Sequence, residues 1–339
     1  MIPTDEQVPD GSTSFSREDA ADVTVGIGYE IDGLKLNDNT VSTDYYSLSD
    51  DETEITIDKD YLAAMSNGTK EFAIILDDNN TTPTTVLWDV VISGAHEDEF
   101  DRSDPDDVAM SVSDAEITGL KYQDAAVDAS AYAISNSNHT ITIKKEYLAT
   151  LSNGDKTFKV LEGTTAYDEV TITISGNHTA TFTRSAAADV TVGIADVDIT
   201  GLKYGDAAVD SSNYTIASGA RSITIKKEYI ANYSNGDQTF KIMEGTAYDT
   251  VVVTISGNGS ASFSKAAAED ITVTLLDVTI NGLKNGSATV NTDNYTIAED
   301  AHSITIDKTY LSGLTNGDKT FHVLYGEDGD FSYAVTVGD

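Results

Sequence analysis

From Asp189 to Ile194 apolar and polar residues alternate, with Val190, Val192 and Ile194 on one side. That is the period-two signature of a strand buried on one face. Ile223 and Ile225 flank Thr224 in the same way, and β-branched side chains suit a pleated surface. Two more runs follow, Thr239 to Ile242 and Val251 to Ile255, the second placing Val251, Val253 and Ile255 on one face. Turn signals separate the runs at Tyr204-Gly-Asp206, Ala217-Ser-Gly219, Ser234-Asn-Gly-Asp237 and Glu244-Gly245. Short strands broken every ~8–12 residues predict a β-sandwich and not βαβ units. Lys226 to Ala231 has better helix formers, which predicts a single helical turn.

The same frame recurs along the chain. Asn-Gly stands at Asn67-Gly68, Asn153-Gly154, Asn235-Gly236 and Asn316-Gly317, spaced 86, 82 and 81 residues apart. Six residues before each Asn is a Tyr (Tyr61, Tyr147, Tyr229, Tyr310), and five after it a Phe (Phe72, Phe158, Phe240, Phe321). Ile-Thr-Ile and Gly-Leu-Lys precede them in register. A period near 80 is too long for a solenoid unit and fits a small domain. Four tandem all-β sandwich domains are expected, at 1–98, 99–179, 180–260 and 261–339. Short junctions such as Ile255 to Phe263 predict an extended, semi-rigid rod, since a flexible tether would be a longer Gly/Ser stretch.

Charge narrows the partners. The 339 residues carry 57 Asp and Glu against 20 Lys and Arg, a net charge of −37. Nucleic acid needs clustered cations and is a poor partner, as is an anionic membrane surface. No stretch approaches the ~20 apolar residues of a membrane-spanning helix, so no membrane insertion is expected. Cysteine is absent, so no disulfide reinforces the small cores. Residues 1–98 hold 22 acidic and 4 basic residues, and the first repeat is the divergent one. It also carries an insertion at Asp77-Asp-Asn-Asn-Thr-Thr-Pro83.

The fourth repeat is similar to a known family. Phe263-Ser-Lys-Ala-Ala-Ala-Glu-Asp-Ile-Thr-Val273, Gly282-Leu-Lys-Asn-Gly286, Asp293-Asn-Tyr-Thr-Ile297, Ile304-Thr-Ile306, Lys308-Thr-Tyr-Leu311 and Asn316-Gly317 resemble X2 modules. These are immunoglobulin-like domains of cellulosomal scaffolding proteins, bacterial surface proteins and phage virion proteins. The resemblance extends more loosely to all four repeats. It implies an immunoglobulin-like fold and a non-catalytic spacer or weakly carbohydrate-adhesive module.

Catalytic, cofactor and metal sites find no motif. The five histidines (His96, His139, His178, His302, His322) read as non-equivalent positions without H-x-H or H-E-x-x-H spacing. No Gly-x-Ser-x-Gly elbow occurs. Glu97, Asp98, Glu99, Asp101, Asp104, Asp106 and Asp107 crowd the first junction. Such a run reads either as a hinge able to offer oxygen ligands to Ca²⁺ or as a solvated acidic linker. Trp88, the sole tryptophan, alternates with Val90 and Ile92 and matches Val170, Val251 and Tyr333 in register, which assigns it to a core. Asn-Gly reads as a tight turn with positive φ.

No enzyme is expected. The sequence points to a structural or adhesive surface protein, most simply a phage virion decoration or fibre-type protein projecting its domains for weak adhesion to host or glycan. The alternative is a bacterial cell-surface or cellulosomal module array acting as spacer or carbohydrate-binding module. Met1 to Thr13 shows no basic start or apolar run, so a secretory leader is not expected, which favours the virion surface over the bacterial exterior. The divergent first repeat, with its acidic tail, is expected to be the attachment end, anchored by a virion or cell-surface protein.

Overall fold

A computed structural model describes residues 13–77, 84–112, 114–135, 139–163 and 166–339. The acidic tail before Thr13 and residues 78–83 of the insertion lie outside the described residues. The chain forms two compact units, one of Met1–Ala149 with Asn153–Ser175, the other of Thr150–Ser152 with Gly176–Asp339.

Two sandwiches make up the first unit. In the first, a five-stranded sheet runs Thr13–Ser16, Thr84–Ser93, Gly68–Leu76, Ile31–Leu36, Asn39–Thr40 in spatial order. It faces a three-stranded sheet of Val23–Gly26, Glu54–Ile57 and Tyr46–Leu48. The second repeats this with His96–Asp101 beside Ala166–Ser175 at one edge, and Val108–Ser111, Thr140–Ile143 and Tyr132–Ser135 opposite. In the second unit, His178–Thr183 pairs with Ala247–Ser256 in the third sandwich, and Gly259–Ser264 with Gly329–Gly338 in the fourth. In all four, the first strand lies parallel to the last, while the other pairs are antiparallel. The chain is an all-β array of four immunoglobulin-like sandwiches.

Because His96–Asp101, His178–Thr183 and Gly259–Ser264 each pair inside the sandwich that follows them, we propose domain limits just ahead of these strands. Divisions at 98/99, 179/180 and 260/261 would cut them.

The repeated frame is the core and its supports. Ile55, Ile57, Phe72, Ile74, Trp88, Val90 and Ile92 are buried in the first sandwich, and their counterparts fill the others. Trp88 lies opposite Phe72, as Val170 lies opposite Phe158, Val251 opposite Phe240 and Tyr333 opposite Phe321. The polar residue of each Ile-Thr-Ile faces outward, where Thr56 bonds Thr24 at 2.7 Å, Thr224 bonds Thr191 at 2.8 Å and Thr305 bonds Thr272 at 2.9 Å. Such cross-strand pairs fix register on the solvated face. The helical turn before Asn-Gly is Lys59–Ala63, Lys145–Leu148, Lys227–Ile230 and Lys308–Gly313. An Asp ahead of the Val-Thr-Val-type strand caps each one: Asp22, Asp107, Asp189 and Asp270 accept from Lys59, Lys145, Lys227 and Lys308 N–H at 2.9–3.0 Å.

Asn-Gly makes the positive-φ turn expected of it, though not as a two-residue hairpin. It links the helical turn to a strand, and only the glycine has positive φ, between +95° and +117°. The hairpins with two positive-φ residues lie elsewhere, at Asn37-Asp38 and Gln123-Asp124.

Candidate functional site

What the asparagine does explains its place. Arg17, two residues after Phe15, sends Nη1 to Asn67 Oδ1 at 2.6 Å and to Gly94 O at 2.8 Å. Its Nε reaches Ala63 O at 2.9 Å, and Nη2 donates to Met65 O. Arg102 meets Asn153 Oδ1 at 2.5 Å, and Arg184 meets Asn235 Oδ1. The Arg17 guanidinium thus ties helix end, Asn-Gly loop and chain exit together through all three of its nitrogens, which a Lys could not match. Burial lowers the pKa of Arg17, and Asp168, Asp114 and Glu162 oppose that shift; the group stays charged.

On this clip the next sandwich of the same unit sits. In the first unit, Asp114 accepts Ser66 N–H at 2.7 Å and Ser66 Oγ–H at 3.2 Å, with Lys70 Nζ 2.5 Å from its other contact oxygen, Oδ2. Asn67 N–H donates to Asp168 Oδ1 at 2.6 Å. Lys70 and Asp114 side chains are 11% and 12% exposed, so the pair is largely desolvated and costly to break one-sidedly. Glu162 joins this cluster. Burial first, then the carboxylates of Asp168 and Asp114, push its pKa up to about 7, against the pull of Lys70. Glu162 Oε1 and Asp168 Oδ2 are buried without a hydrogen-bond partner, which a proton on Glu162 relieves by letting one carboxyl donate to the other.

The second unit builds its clasp from different chemistry. Asp277 accepts Ser234 N–H at 2.7 Å and the Ser234 hydroxyl, but the third donor is Gln238 Nε2 at 2.8 Å, where the first clasp has Lys70. Leu276 N–H donates to Asn232 O at 2.6 Å. Arg184 lies 4.6 Å from the centroid of Phe331, a cation–π contact where the first clasp has Asp168. A cleft of about 260 Å³ beside it is lined by Arg184, Gly259, Phe331 and Tyr333. Ser152, which segregates with this unit, pairs in the same manner with Asp196, at 2.7 and 3.0 Å.

The histidines correct the sequence reading. His96 and His178 begin equivalent strands, and their Nε2 atoms lie 3.4 Å from Asp168 Oδ2 and 3.3 Å from Asp249 Oδ2. His139 and His302 are equivalent too: each directs Nδ1 at a carbonyl, Ala115 O at 2.5 Å and Val278 O at 2.8 Å. A carbonyl only accepts, so Nδ1 carries the proton in both. His322 pairs with Asp330 at 2.9 Å. The equivalence was legible: His96 and His178 both stand 57 residues before their Asn-Gly, and His139 and His302 both 14.

In the fourth sandwich this His–Asp pair gives way to Gly259 and Phe331. A Cβ on Gly259 would meet the Tyr333 ring at 2.4 Å. The ring fills the volume that the imidazole takes at His96, beside Val170, and at His178, beside Val251.

The acidic run is no hinge. His96–Asp101 is a strand of the second sandwich, with Glu97, Asp98 and Glu99 exposed along it. Asp101 Oδ1 accepts Ser103 N–H at 2.8 Å, and Asp107 caps a helical turn. Among the described residues no group of three or more His, Asp or Glu is disposed to hold a metal ion. Trp88 is 1% exposed in the first core, its Nε1–H donating to Thr13 Oγ1 at 3.0 Å.

The outer face of the five-stranded sheet carries a second repeated arrangement. Tyr167 is 44% exposed, with Lys159 Nζ 4.9 Å from its ring centroid and 2.7 Å from Asp124. Tyr248 is 49% exposed, with Lys241 Nζ again 4.9 Å from the ring and 2.9 Å from Asp206.

Residues 257–332 match the family model of carbohydrate binding domain X2. Among curated proteins no match is found. Among solved structures, the chain is similar to a tri-modular GH5 endo-β-1,4-glucanase from Bacillus licheniformis, at 15% identity and TM-score 0.21, over 47% of this chain. The chain spans 37% of that glucanase. It is also similar to a mixed-linkage glucan utilization locus protein of Bacteroides ovatus bound to a mixed-linkage heptasaccharide, at 14% identity and TM-score 0.24, over 100% of this chain and 90% of that one. A tandem of titin I9–I11 domains matches at 9% identity and TM-score 0.19, over 73% and 98%.

Proposed function

We propose that this chain is a non-catalytic array of carbohydrate-adhesive modules displayed outside the cell or on another surface. The observation that carries the reading is the carbohydrate binding domain X2 match over the fourth sandwich, whose frame of Phe, Ile-Thr-Ile, Tyr and Asn-Gly the other three share. In every repeat that frame builds the core and the capped helical turn, and in the first three its Asn receives the arginine clip. Side chains left free to meet a partner lie on the exposed sheet faces. Modules that bind weakly one at a time gain through repetition, by ~10²–10⁴ where target sites are matched.

The test is retention of the full chain on insoluble cellulose, chitin or purified bacterial cell wall, against a non-binding control protein of similar charge. Retention on at least one, reversed by soluble fragments of the same polymer, supports the reading. Flow-through on all of them sinks it. Phage virion decoration, with the first sandwich as the anchored end, is the narrower form we propose within this reading. Co-purification of the chain with phage particles tests it, and absence from them removes that form alone.

A further inference from the structure

We infer that Tyr167 and Tyr248 are sugar-contacting platforms, each taking one pyranose ring of a neutral, β-linked polysaccharide; this rests on the glycan-adhesion reading above. Both occupy the same position, three residues before the valine that faces the frame phenylalanine. Both project from the outer sheet face with nearly half their surface in solvent. A half-buried position on an isolated sheet normally favours a smaller polar residue, as Thr85 and Asp330 show at the same place in the first and fourth sandwiches.

The surroundings match a sugar better than a protein or an ion. Lys159 and Lys241 sit 4.9 Å from the ring centroids, and Asp124 and Asp206 hold their ammonium groups at 2.7 and 2.9 Å. Lysine and aspartate therefore cancel in charge, and each site offers a flat apolar face, N–H donors and carboxylate acceptors without net attraction for an anion. A β-linked pyranose chain presents flat C–H faces edged by hydroxyls, which is the complement of that arrangement. Tyr supplies such a face at low conformational cost, with a polar tip that stays wet. The fourth sandwich matches the family model yet has His322 and Asp330 where these sites have lysine and tyrosine, so the platform is a property of the middle two repeats.

Affinity electrophoresis of the full chain through native gels containing hydroxyethylcellulose, with pull-downs on cellulose, chitin and bacterial cell wall as separate arms, tests the assignment. Tyr167→Ala and Tyr248→Ala should each weaken retention roughly three- to tenfold, the scale of one aromatic contact, and together abolish it. Tyr→Phe at either position should keep most of it. Tyr45→Ala is the control: Tyr45 is equally exposed but stacks on Tyr61 at 4.5 Å in the first sandwich only, and its loss should change nothing. Wild-type retention that survives the double Ala variant overturns the platforms and leaves the adhesive reading standing. An equal loss with Tyr45→Ala overturns them as well. No retention of the wild type on any polymer overturns both.

Discussion

Glu162→Gln separates an electrostatic account of the first clasp from a purely steric one. Glu162 stands among Asp168, Asp114, Lys70 and Arg17, with His96 beside Asp168. Its pKa is about 7 in the folded chain against an ordinary 4.5. A raised carboxyl favours its neutral form in the folded state. Its contribution is therefore fully present below pH 4.5 and is lost as pH rises through about 7. The whole raise corresponds to ~3 kcal/mol at ~1.4 kcal/mol per pH unit. Glu162 is only partly buried, and solvent screening reduces that to ~1 kcal/mol.

Trp88 is the sole tryptophan and lies in the first core, so its fluorescence during urea unfolding of the full chain reports the sandwich that contributes Ser66, Asn67 and Lys70. With a slope of ~1 kcal/mol per molar urea for a domain this size, the wild-type midpoint should rise by ~1 M between pH 8 and pH 5 from this group. Glu162→Gln should unfold ~1 M later than wild type at pH 8 and at the same urea concentration at pH 5. Background effects of net charge act on both proteins and largely cancel in the comparison. Equal pH dependence in the two proteins, or an earlier midpoint for the variant at pH 8, would refute the reasoning.

Three further outcomes follow from the packing. Arg17→Ala removes donors to Ala63, Met65, Gly94 and Asn67 and should cost ~2–4 kcal/mol in the Trp88-monitored transition, since several buried acceptors lose their partner at once. Gly317→Ala forces an alanine to φ +107° and should cost ~1–2 kcal/mol by calorimetry of the full chain; an unchanged melting profile would show that the loop relaxes. Gly259→Ala puts a methyl group 2.4 Å from the Tyr333 ring and should cost ~1–3 kcal/mol, while Tyr333→Val should remove most of that penalty in the double variant. Additive costs would mean that the two positions are uncoupled.

Much of this was legible because four copies write the same constraints. Period-two runs gave the strands, register against the frame phenylalanine buried Trp88, and the helix formers at Lys226 to Ala231 became the turn Lys227–Ile230. The clip went unseen because Asn-Gly signals only a local turn, whereas its asparagine answers an arginine 50 or 51 residues upstream. Phe-x-Arg at Phe15, Phe100 and Phe182 would have shown it. The acidic run looked like a linker because charge says nothing about pairing: parallel addition to Ala166–Ser175 depends on a partner some 70 residues away. Glu162 and Asp168 had no signal at all, since their environment exists only once two sandwiches meet.

Variation at the clasp is coordinated across positions, and that argues for its use. Where one sandwich offers Asp168 and His96, the fourth offers Phe331 and Gly259; where one clasp has Lys70, the other has Gln238. Each change alone would strand a buried charge or overfill a core, so the sets must move together. The serine–aspartate pair persists in both clasps as the shared fastener. Around it, the first clasp holds Glu162, whose carboxyl gains its proton as pH falls through about 7, while the second relies on an amide and an arginine–ring contact that do not titrate there. Of these two clasps, a mildly acidic medium would therefore favour the first, through Glu162, and leave the second unchanged.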